Sequence, residues 1–154
     1  MAKLMRSADD PLALERQVCF ALAVASRSVV ALYRPVLEPM GLTHPQYLVM
    51  LALWEESPRS LRELGNVLHL DPGTLSPLVK RLERAELVTR ERDPRDERNL
   101  ALTLTRQGRA LRRRAEKVPA EIIRRLGVPV AELEHARLVV TDLLAAADRA
   151  ITAT

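Results

Sequence analysis

Apolar residues recur at every third or fourth position in the first part of the chain. Between Leu12 and Glu38 this spacing predicts one long amphipathic helix, whose apolar positions are Leu14, Val18, Ala21, Ala25, Val29, Leu32 and Val36. Pro39 and Gly41 follow it, and both residue types are typical of a helix end. Residues 1–11 lack such a pattern, so we expect them to form a flexible N-terminal tail.

Three shorter helices are predicted next, each from the residue that caps its N-terminus. A capping box, in which Ser or Thr is followed three positions later by Glu or Gln, occurs twice. The two pairs are Thr43 with Gln46 and Ser60 with Glu63. Asp71 followed by Pro72 is a third start, because Pro fits the first helical position behind an Asp cap. These signals predict helices over about residues 44–56, 61–68 and 72–85.

The spacing of apolar residues then changes to the two-residue period of a β-strand. Leu87–Arg92 and Asn99–Leu104 alternate in this way, with Asp93–Asp96 between them. This pattern predicts a two-stranded hairpin. Since a turn of only a few residues joins the two preceding helices, the segment of about residues 43–105 predicts a helix-turn-helix followed by a wing.

Two further helices follow the hairpin. Thr105 is the expected cap of the first, Pro119 predicts a kink within it, and Gly127 and Pro129 separate it from the last helix. The order of elements therefore predicts a mainly α fold in one domain, residues 12–154. In this fold a winged helix-turn-helix is flanked by N- and C-terminal helices, about residues 12–38 and 106–152.

Composition limits the class of protein. The chain has 154 residues, of which 47% are apolar, and this suits one domain with a packed core. One cysteine and three dispersed histidines exclude an intrachain disulfide and indicate neither a metal site nor a cofactor. No apolar run reaches the roughly 18 residues of a membrane span, and the N-terminus lacks the apolar core of a signal peptide. We therefore expect a cytoplasmic protein without a membrane partner.

Positive charge is concentrated in one segment. The net charge is +4, and residues 72–114 contain 12 Lys and Arg against 6 Asp and Glu. Such a segment fits a polyanion such as DNA, but a solvated arginine-rich helix explains the charge equally well.

The second helix of a helix-turn-helix inserts its N-terminal half into the major groove of DNA. In the predicted helix 72–85, the hydroxyls of Thr74 and Ser76 can reach base edges or phosphates, unless they only satisfy the first turn of the helix. The remaining candidates are basic residues that can neutralise phosphates or reach a guanine edge. They are Lys80, Arg81 and Arg84.

The predicted wing carries two arginines, Arg95 and Arg98. A guanidinium at a hairpin tip can enter a narrow minor groove, where the potential is most negative. Asp96 is the candidate that orients Arg98 through an ion pair, and the same pair can equally be an ordinary surface contact.

The residues around the wing resemble a family signature. Asp96-x-Arg98-x5-Leu104-Thr105-x-x-Gly108 is similar to the wing motif of the MarR family of transcriptional regulators. The resemblance implies a homodimer without enzymatic activity. Its first and last helices form the dimerisation region, and its two wings straddle a palindromic double-stranded DNA operator. It also implies DNA contacts by Thr74, Ser76, Lys80 and Arg81 and minor-groove insertion of Arg98.

Cys19 is the one cysteine of the chain. A free Cys is most often a small buried apolar residue, and that interpretation stays open. Tyr33 lies fourteen positions along the same predicted helix, on nearly the same face but about 21 Å away. It can therefore approach Cys19 only in a second copy packed antiparallel, where His44 and Tyr47 also come near. Phenol and imidazole donors stabilise a thiolate, and a cationic His44 would do so most strongly.

Longer stretches resemble the organic-hydroperoxide-sensing repressors of the MarR family. The similar segments are Leu14-Glu15, Val18-Cys19-Phe20, Tyr33-Arg34-Pro35, Leu42–Leu48 and Leu70–Pro77. In that subgroup the N-terminal Cys reacts with peroxide and is hydrogen-bonded by tyrosines of the partner subunit, which implies these roles for Cys19 and Tyr33. The chain departs from the subgroup at Ala23 and His44, which often are Tyr there, and at Pro72, which often is Ser.

These resemblances imply a repressor that leaves its operator when an organic hydroperoxide oxidises Cys19. A small thiol is then expected to cap the oxidised sulfur, because no second Cys is present. Three alternatives stay open. In the first, a small phenolic or aromatic ligand is the release signal and Cys19 is structural. In the others, the protein is a one-cysteine thiol peroxidase or an architectural DNA-binding protein without a switch.

Overall fold

The computed structural model describes residues 10–153, which form seven α-helices and one small sheet. In chain order the elements are α1 (Val18–Leu37), α2 (His44–Glu55), β1 (Arg59–Ser60), α3 (Leu61–Leu68), α4 (Pro72–Arg84), β2 (Val88–Asp93), β3 (Asp96–Leu104), α5 (Arg106–Ala115), α6 (Val118–Leu126) and α7 (Val130–Thr152). The chain divides into two compact units, one up to residue 112 and one from residue 113. The mainly α order with a winged helix-turn-helix is confirmed.

The first helix is shorter than predicted. α1 begins at Val18 rather than Leu12, because a separate 3-10 turn, Leu14–Arg16, precedes it. Gln17 between them is extended, with φ of −83° and ψ of 116°. Most of the predicted tail, residues 1–9, lies outside the described residues.

The end of α1 also differs from the prediction. Pro39 lies inside a second 3-10 turn, Glu38–Met40, and Gly41 ends that turn with a φ of 70°. A residue with a side chain rarely adopts this left-handed conformation, so Gly rather than Pro terminates the helical segment.

One segment has the length and composition of a membrane-spanning helix. In Val18–Met40 the mean hydropathy of an 18-residue window is 1.4, and 6% of that window is buried. The expectation that no apolar run reaches membrane-spanning length still holds. It counted uninterrupted apolar runs, and Arg27 and Arg34 interrupt this one.

The three predicted N-caps are present. Thr43 Oγ1 accepts a hydrogen bond from the Gln46 N–H at 3.4 Å, and Gln46 Oε1 accepts from the Thr43 N–H at 2.9 Å. Ser60 and Glu63 form the same reciprocal pair at the start of α3, at 3.1 and 2.7 Å. Asp71 caps α4 by accepting from the N–H of the third helical residue at 2.9 Å. These caps fix where each helix of the helix-turn-helix begins.

The wing belongs to a three-stranded antiparallel sheet rather than a two-stranded hairpin. The strand order is β1-β3-β2, and Arg59 of β1 lies opposite Leu102 of β3. β1 contains two residues, too few to produce a two-residue period in the sequence, so the predicted hairpin was incomplete. The additional strand joins the base of the wing to the start of α3.

α2, α3 and α4 pack around a shared apolar core. Its fully buried side chains include Met50, Leu53, Leu64, Leu75 and Leu82. Since these residues occupy one face of each helix, the opposite face of α4 is left for solvent or a ligand.

The first turn of α5 packs closely against the start of the wing. A Cβ at Gly108 would lie 2.1 Å from the carbonyl oxygen of Leu87, so only Gly fits there. The indole N–H of Trp54 in α2 donates to the Gly108 carbonyl at 2.9 Å, and the Gly108 N–H donates to Thr105 Oγ1 at 2.9 Å. Thr105 is thus the cap predicted for this helix.

The single kinked helix predicted after Thr105 is two helices. Pro119 lies in the first turn of α6, where its missing N–H costs no helical hydrogen bond. The chain therefore breaks before Pro119, at residues 116–117, instead of kinking at it. Gly127, with a φ of 63°, ends α6 as predicted.

In the single chain, α1 and α7 each expose large apolar side chains to solvent. Phe20 and Leu22 of α1 are 38% exposed, and Leu143 and Leu144 of α7 are 40% and 44% exposed. α7, which is described throughout, contains no buried residue. Exposed apolar surface of this extent is typical of a protein contact, and the use of both helices in dimerisation stays a prediction.

Candidate functional site

The recognition helix α4 separates an apolar face from a basic one. Leu75, Leu78, Val79 and Leu82 are buried, whereas the opposite face carries most of the predicted DNA contacts. Its exposed members are Thr74, Lys80, Arg81 and Arg84. Ser76 is half-buried and lies to the side of this face.

Thr74 is held by the cap of its own helix. Its N–H and its Oγ1 donate to the Asp71 carboxylate at 2.9 and 2.8 Å, and these bonds hold the pKa of Asp71 below its ordinary value. Thr74 therefore does satisfy the first turn of α4, and its methyl group and the Oγ1 lone pairs remain for DNA.

The tip of the wing is shaped by Asp96. Its two oxygens accept from the backbone N–H of Arg98 at 3.1 Å and from Asn99 Nδ2 at 3.2 Å. Among residues 10–153 no ion pair of the Arg98 guanidinium occurs, so Asp96 orients the backbone of Arg98 rather than its side chain. The Arg98 side chain is exposed.

Arg95, the other wing arginine, is bound within the chain. Its Nη1 and Nη2 donate to the two carboxylate oxygens of Glu63 at 2.9 and 2.8 Å. Its Nε and Nη2 donate to the buried carboxylate of Asp93, both at 3.1 Å. Arg95 is half exposed while it makes these contacts, so its predicted DNA contact stays a prediction. The sequence assigned Glu63 only a capping role and Asp93 only a turn, so their pairing with Arg95 was missed.

The Arg95 contacts change the acidity of both carboxyl groups. The hydrogen bonds from Arg95 and from the Ser60 N–H lower the pKa of Glu63 to about 2. Those from the Arg95 side chain and N–H lower the pKa of Asp93 as well. All three groups are charged at neutral pH, and the ion pair joins the wing turn to the first turn of α3.

The three residues predicted to stabilise a thiolate lie together. The ring centroids of Tyr33 and His44 are 4.8 Å apart, and that of Tyr47 lies 5.9 Å from Tyr33 and 6.5 Å from His44. We call Tyr33, His44 and Tyr47 the ring cluster. It forms where the C-terminal half of α1 meets the first turn of α2.

Burial keeps the ring cluster uncharged. It raises the pKa of Tyr33 and Tyr47 and lowers the pKa of His44. At neutral pH the cluster therefore presents phenol O–H groups and a neutral imidazole, all of which can donate hydrogen bonds. The expectation of a cationic His44 is not supported by this environment.

Cys19 is exposed and lies near the start of α1. Since α1 runs unbroken from Val18 to Leu37, Tyr33 lies about 21 Å further along the helix axis. The ring cluster of the same chain is thus out of reach of Cys19, as predicted.

Two comparisons decide the family. The model of the MarR family matches residues 42–100. The organic hydroperoxide resistance transcriptional regulator of Bacillus subtilis is 40% identical over 119 residues, which cover 77% of this chain and 81% of that protein. The chain belongs to the MarR family.

Solved structures of MarR-type regulators have the same fold. Reduced AbfR bound to DNA, from Staphylococcus epidermidis, matches with a TM-score of 0.74 and 36% identity, covering 90% of this chain and 94% of that one. PcaV of Streptomyces coelicolor in complex with its natural ligand matches with a TM-score of 0.74 and 26% identity, covering 87% and 96%. The protein is therefore a DNA-binding transcriptional regulator rather than an enzyme, and MarR regulators bind DNA as dimers.

Through Tyr47, the ring cluster also contacts Trp54 near the C-terminal end of α2. The rings of Tyr47 and Trp54, at the two ends of α2, lie 6.5 Å apart in an edge-to-face arrangement, and Trp54 binds α5 through Gly108. The local pattern around Trp54 did not predict this contact. Its position seven residues after Tyr47, nearly two helical turns, was the available signal.

A cavity of about 520 Å³ lies between the C-terminal half of α1 and the start of α2. Its wall includes Val30, Ala31, Leu42, His44 and two arginines, Arg27 and Arg34. Neither arginine was predicted as a site residue, although their seven-residue spacing places both on one face of α1.

Proposed function

We propose that the protein is a repressor that binds a palindromic operator as a homodimer and releases it when an organic hydroperoxide oxidises Cys19. The observation that carries the proposal is an exposed thiol at one end of α1 with a cluster of neutral hydrogen-bond donors at the other. The 40% identity to an organic hydroperoxide resistance regulator supports it. In this proposal the protein acts in the cytoplasm, where a regulator of transcription reaches its operator.

DNA is bound in this proposal by α4 and by the wing of each subunit. Thr74, Lys80 and Arg81 face the major groove, Ser76 and Arg84 flank them, and Arg98 enters the minor groove. The two copies of α4 lie about one turn of DNA apart, roughly 34 Å. Arg95 holds the wing in place through Glu63, and its exposed part contacts DNA beside the wing.

The thiol of one subunit meets the ring cluster of the other. An antiparallel pairing of two α1 helices brings Cys19 of each copy to Tyr33 of its mate, since the two residues lie on nearly the same helix face. The phenol O–H groups then donate to the thiolate and stabilise it. His44 adds a neutral donor.

The chemical step is a two-electron oxidation of sulfur. The Cys19 thiolate attacks the terminal peroxidic oxygen, an S–O bond forms, and the O–O bond breaks. The alkoxide leaves and takes a proton from solvent to become the alcohol, while Cys19 becomes a sulfenic acid. With no second Cys in the chain, a small thiol condenses with the sulfenic acid, giving a mixed disulfide and water.

The adduct changes DNA binding through the dimer contact. A packed interface cannot accept an added group without repacking, so the two winged lobes rotate and the spacing of the α4 helices no longer matches the operator. The chain thus uses chemistry at the dimer contact to control distant DNA contacts.

Operator binding by the wild type and by Cys19→Ser tests the proposal. Treatment with an organic hydroperoxide and a small thiol should release wild-type protein, and reductant should restore binding. Cys19→Ser should bind equally before and after treatment. Release of the Cys19→Ser protein by peroxide, or wild-type release without an adduct on Cys19 in the mass spectrum, refutes the mechanism.

A second candidate is release by a small phenolic or aromatic ligand, with Cys19 only structural. The 520 Å³ cavity favours it, as does the likeness to PcaV, which was solved with its natural ligand. Release of both wild-type and Cys19→Ser protein by such a compound in the absence of peroxide supports this candidate and not the first.

A further inference from the structure

Glu83 is the one acidic residue of the recognition helix. α4, Pro72–Arg84, contains Lys80, Arg81 and Arg84 but no other Asp or Glu. A carboxylate on a helix that contacts DNA repels the phosphates, so by its charge alone Glu83 weakens DNA binding. A favourable contribution from the group that Glu83 binds is therefore expected to outweigh this repulsion.

The group that Glu83 binds belongs to the wing. Glu83 Oε1 accepts a hydrogen bond from Nε of Arg90 in β2 at 3.0 Å, and both side chains are 29% exposed. Within the described part of the chain, no other ion pair joins α4 to the wing. Because it is partly buried, the pair is screened less by salt than a fully exposed pair. It joins the wing directly to the recognition helix, whereas Arg95 joins it to α3.

The connection between α4 and β2 is short and ordered. The Leu87 N–H donates to the Leu82 carbonyl at 3.1 Å, and Glu86 before it has a left-handed φ of 59°. Both features are typical of a Schellman motif. This turn fixes where β2 starts. Arg90, the third residue of β2, provides a second point of attachment, and two points fix the direction of the strand.

The direction of the two strands decides where the end of the wing lies. Arg98 is six residues from Leu104 at the base of β3, which is about 20 Å in an extended strand. A tilt of about 10° at the base therefore moves Arg98 by about 3.5 Å, more than the length of a hydrogen bond. A wing that tilts this far does not hold a side chain at one position in a DNA groove.

We propose that Glu83 and Arg90 are positioning residues that hold the wing at a fixed angle to α4, so that one subunit contacts the major and the minor groove of the same half-site together. Where it concerns the minor groove, the inference rests on the placement of Arg98 in the proposed function. The wing then adds affinity only at operators whose minor groove lies where the ion pair places Arg98. The pair thus acts on operator recognition through the wing, without contacting a base.

Operator affinity separates this role from the charge of Glu83. A duplex that wild-type protein selects from random-sequence DNA supplies the operator. Glu83→Gln should weaken its binding about tenfold, the size of one lost base contact, although removing a negative charge by itself strengthens DNA binding.

Glu91→Gln is the matched control for charge. Glu91 is an exposed residue of β2 whose side chain binds only Thr89 within the described chain. Its substitution removes the same charge and leaves the ion pair intact, so affinity should equal or slightly exceed that of wild type. Glu83→Gln protein that binds the operator as tightly as Glu91→Gln protein overturns the proposal.

An exchange of charges tests the contact itself. Arg90→Glu and Glu83→Arg should each weaken operator binding, because each places two like charges side by side. The double variant has the net charge of wild type and should recover most of the affinity, since the pair forms again with its ends exchanged. A double variant that binds no better than Arg90→Glu overturns the positioning role and assigns Arg90 a direct DNA contact.

Methylation of the bound duplex by dimethyl sulfate shows which groove loses its contact. The reagent modifies guanine N7 in the major groove and adenine N3 in the minor groove, so one reaction reports on α4 and the wing separately. At saturating Glu83→Gln protein, protection of guanine N7 should match wild type, which also shows that the variant folds. Protection of adenine N3 should be lost. Equal loss of protection in both grooves contradicts the proposal, because general destabilisation affects both.

Arg98→Ala distinguishes failure of this inference from failure of the proposed DNA contact. In that variant the wing has no Arg98 side chain to place, so adding Glu83→Gln should not weaken binding further, and an additive loss overturns the proposal. If Arg98→Ala binds as tightly as wild type, the proposed minor-groove contact fails. The affinity of Glu83→Gln relative to Glu91→Gln then still decides whether the ion pair positions the wing.

Discussion

The guanidinium of Arg95 donates one hydrogen bond to each carboxylate oxygen of Glu63, at 2.9 and 2.8 Å. Glu63 Oε2 simultaneously accepts from the Ser60 N–H at 2.7 Å as part of the α3 capping box. One carboxylate thus caps a helix of the helix-turn-helix and anchors the wing, so the position of the wing depends on the start of α3.

Removing this ion pair should loosen the wing. Arg95→Gln and Glu63→Gln should each lower the free energy of unfolding. A double-mutant cycle in urea should give a small favourable coupling, because both side chains are about half exposed. Operator affinity should fall several-fold with either substitution. The matched control is Glu97→Gln in the exposed wing, which should not change stability; additive effects of the two substitutions would contradict a direct pair.

The same pair should make stability fall in acid. Arg95 and Ser60 lower the pKa of Glu63 from 4.5 to about 2, so its contribution is complete above the unfolded-state pKa and is lost as the pH falls from about 4.5 to about 2. The free energy of unfolding, measured at several pH values in that window, should fall more steeply for wild type than for Arg95→Gln. Parallel curves would show that the contact is absent in solution.

The two wing arginines should respond differently to substitution. Arg98→Ala removes a side chain without a partner in the described chain, so stability should not change. Operator affinity should fall by about 1–3 kcal/mol if the side chain enters the minor groove. Arg95→Ala should instead lower stability. Equal loss of stability in the two variants, from parallel urea and operator titrations, would show that this division of roles is wrong.

Local signals predicted most of the helix-turn-helix, and the long-range contacts escaped prediction. Thr43, Ser60 and Asp71 fixed their helices because capping depends on residues only three positions apart. The contact of Glu63 with Arg95 joins residues 32 positions apart, and nothing in the local pattern of either residue indicates it. Pro119 is a second example. A Pro can kink a continuous helix or lie in the first turn of a new one, and the outcome depends on whether the residues before it are helical.

The proposed thiol site was likewise predicted only in part from the sequence. Cys19, Tyr33 and His44 were found as candidates from their spacing and a family resemblance, and the ring cluster brings the last two together. The charge of His44 could not be inferred, because it depends on burial between α1 and α2.

The ring cluster should control the reactivity of Cys19. Tyr33→Phe keeps the ring but removes the O–H group that we propose to face the partner's thiolate. Oxidation of Cys19 by cumene hydroperoxide, followed by trapping of the sulfenic acid and mass spectrometry, should therefore slow by about tenfold. Tyr47→Phe is the matched control for ring packing: Tyr47 is 3% exposed, so its O–H is less accessible and the effect should be smaller. Unchanged rates in Tyr33→Phe would remove the phenol from the mechanism.

Gly108 should tolerate no side chain. A Cβ there would lie 2.1 Å from the Leu87 carbonyl oxygen, so Gly108→Ala must displace either the start of α5 or the segment before β2. Overpacking of this kind costs about 1–3 kcal/mol, which urea unfolding would measure. Because Trp54 donates to the Gly108 carbonyl at 2.9 Å, its fluorescence should shift in the native state as well. The neighbouring exposed residue supplies the control, Gln107→Ala, which should change neither reading; a Gly108→Ala protein as stable as wild type would show that α5 does not pack against Leu87 as closely as described.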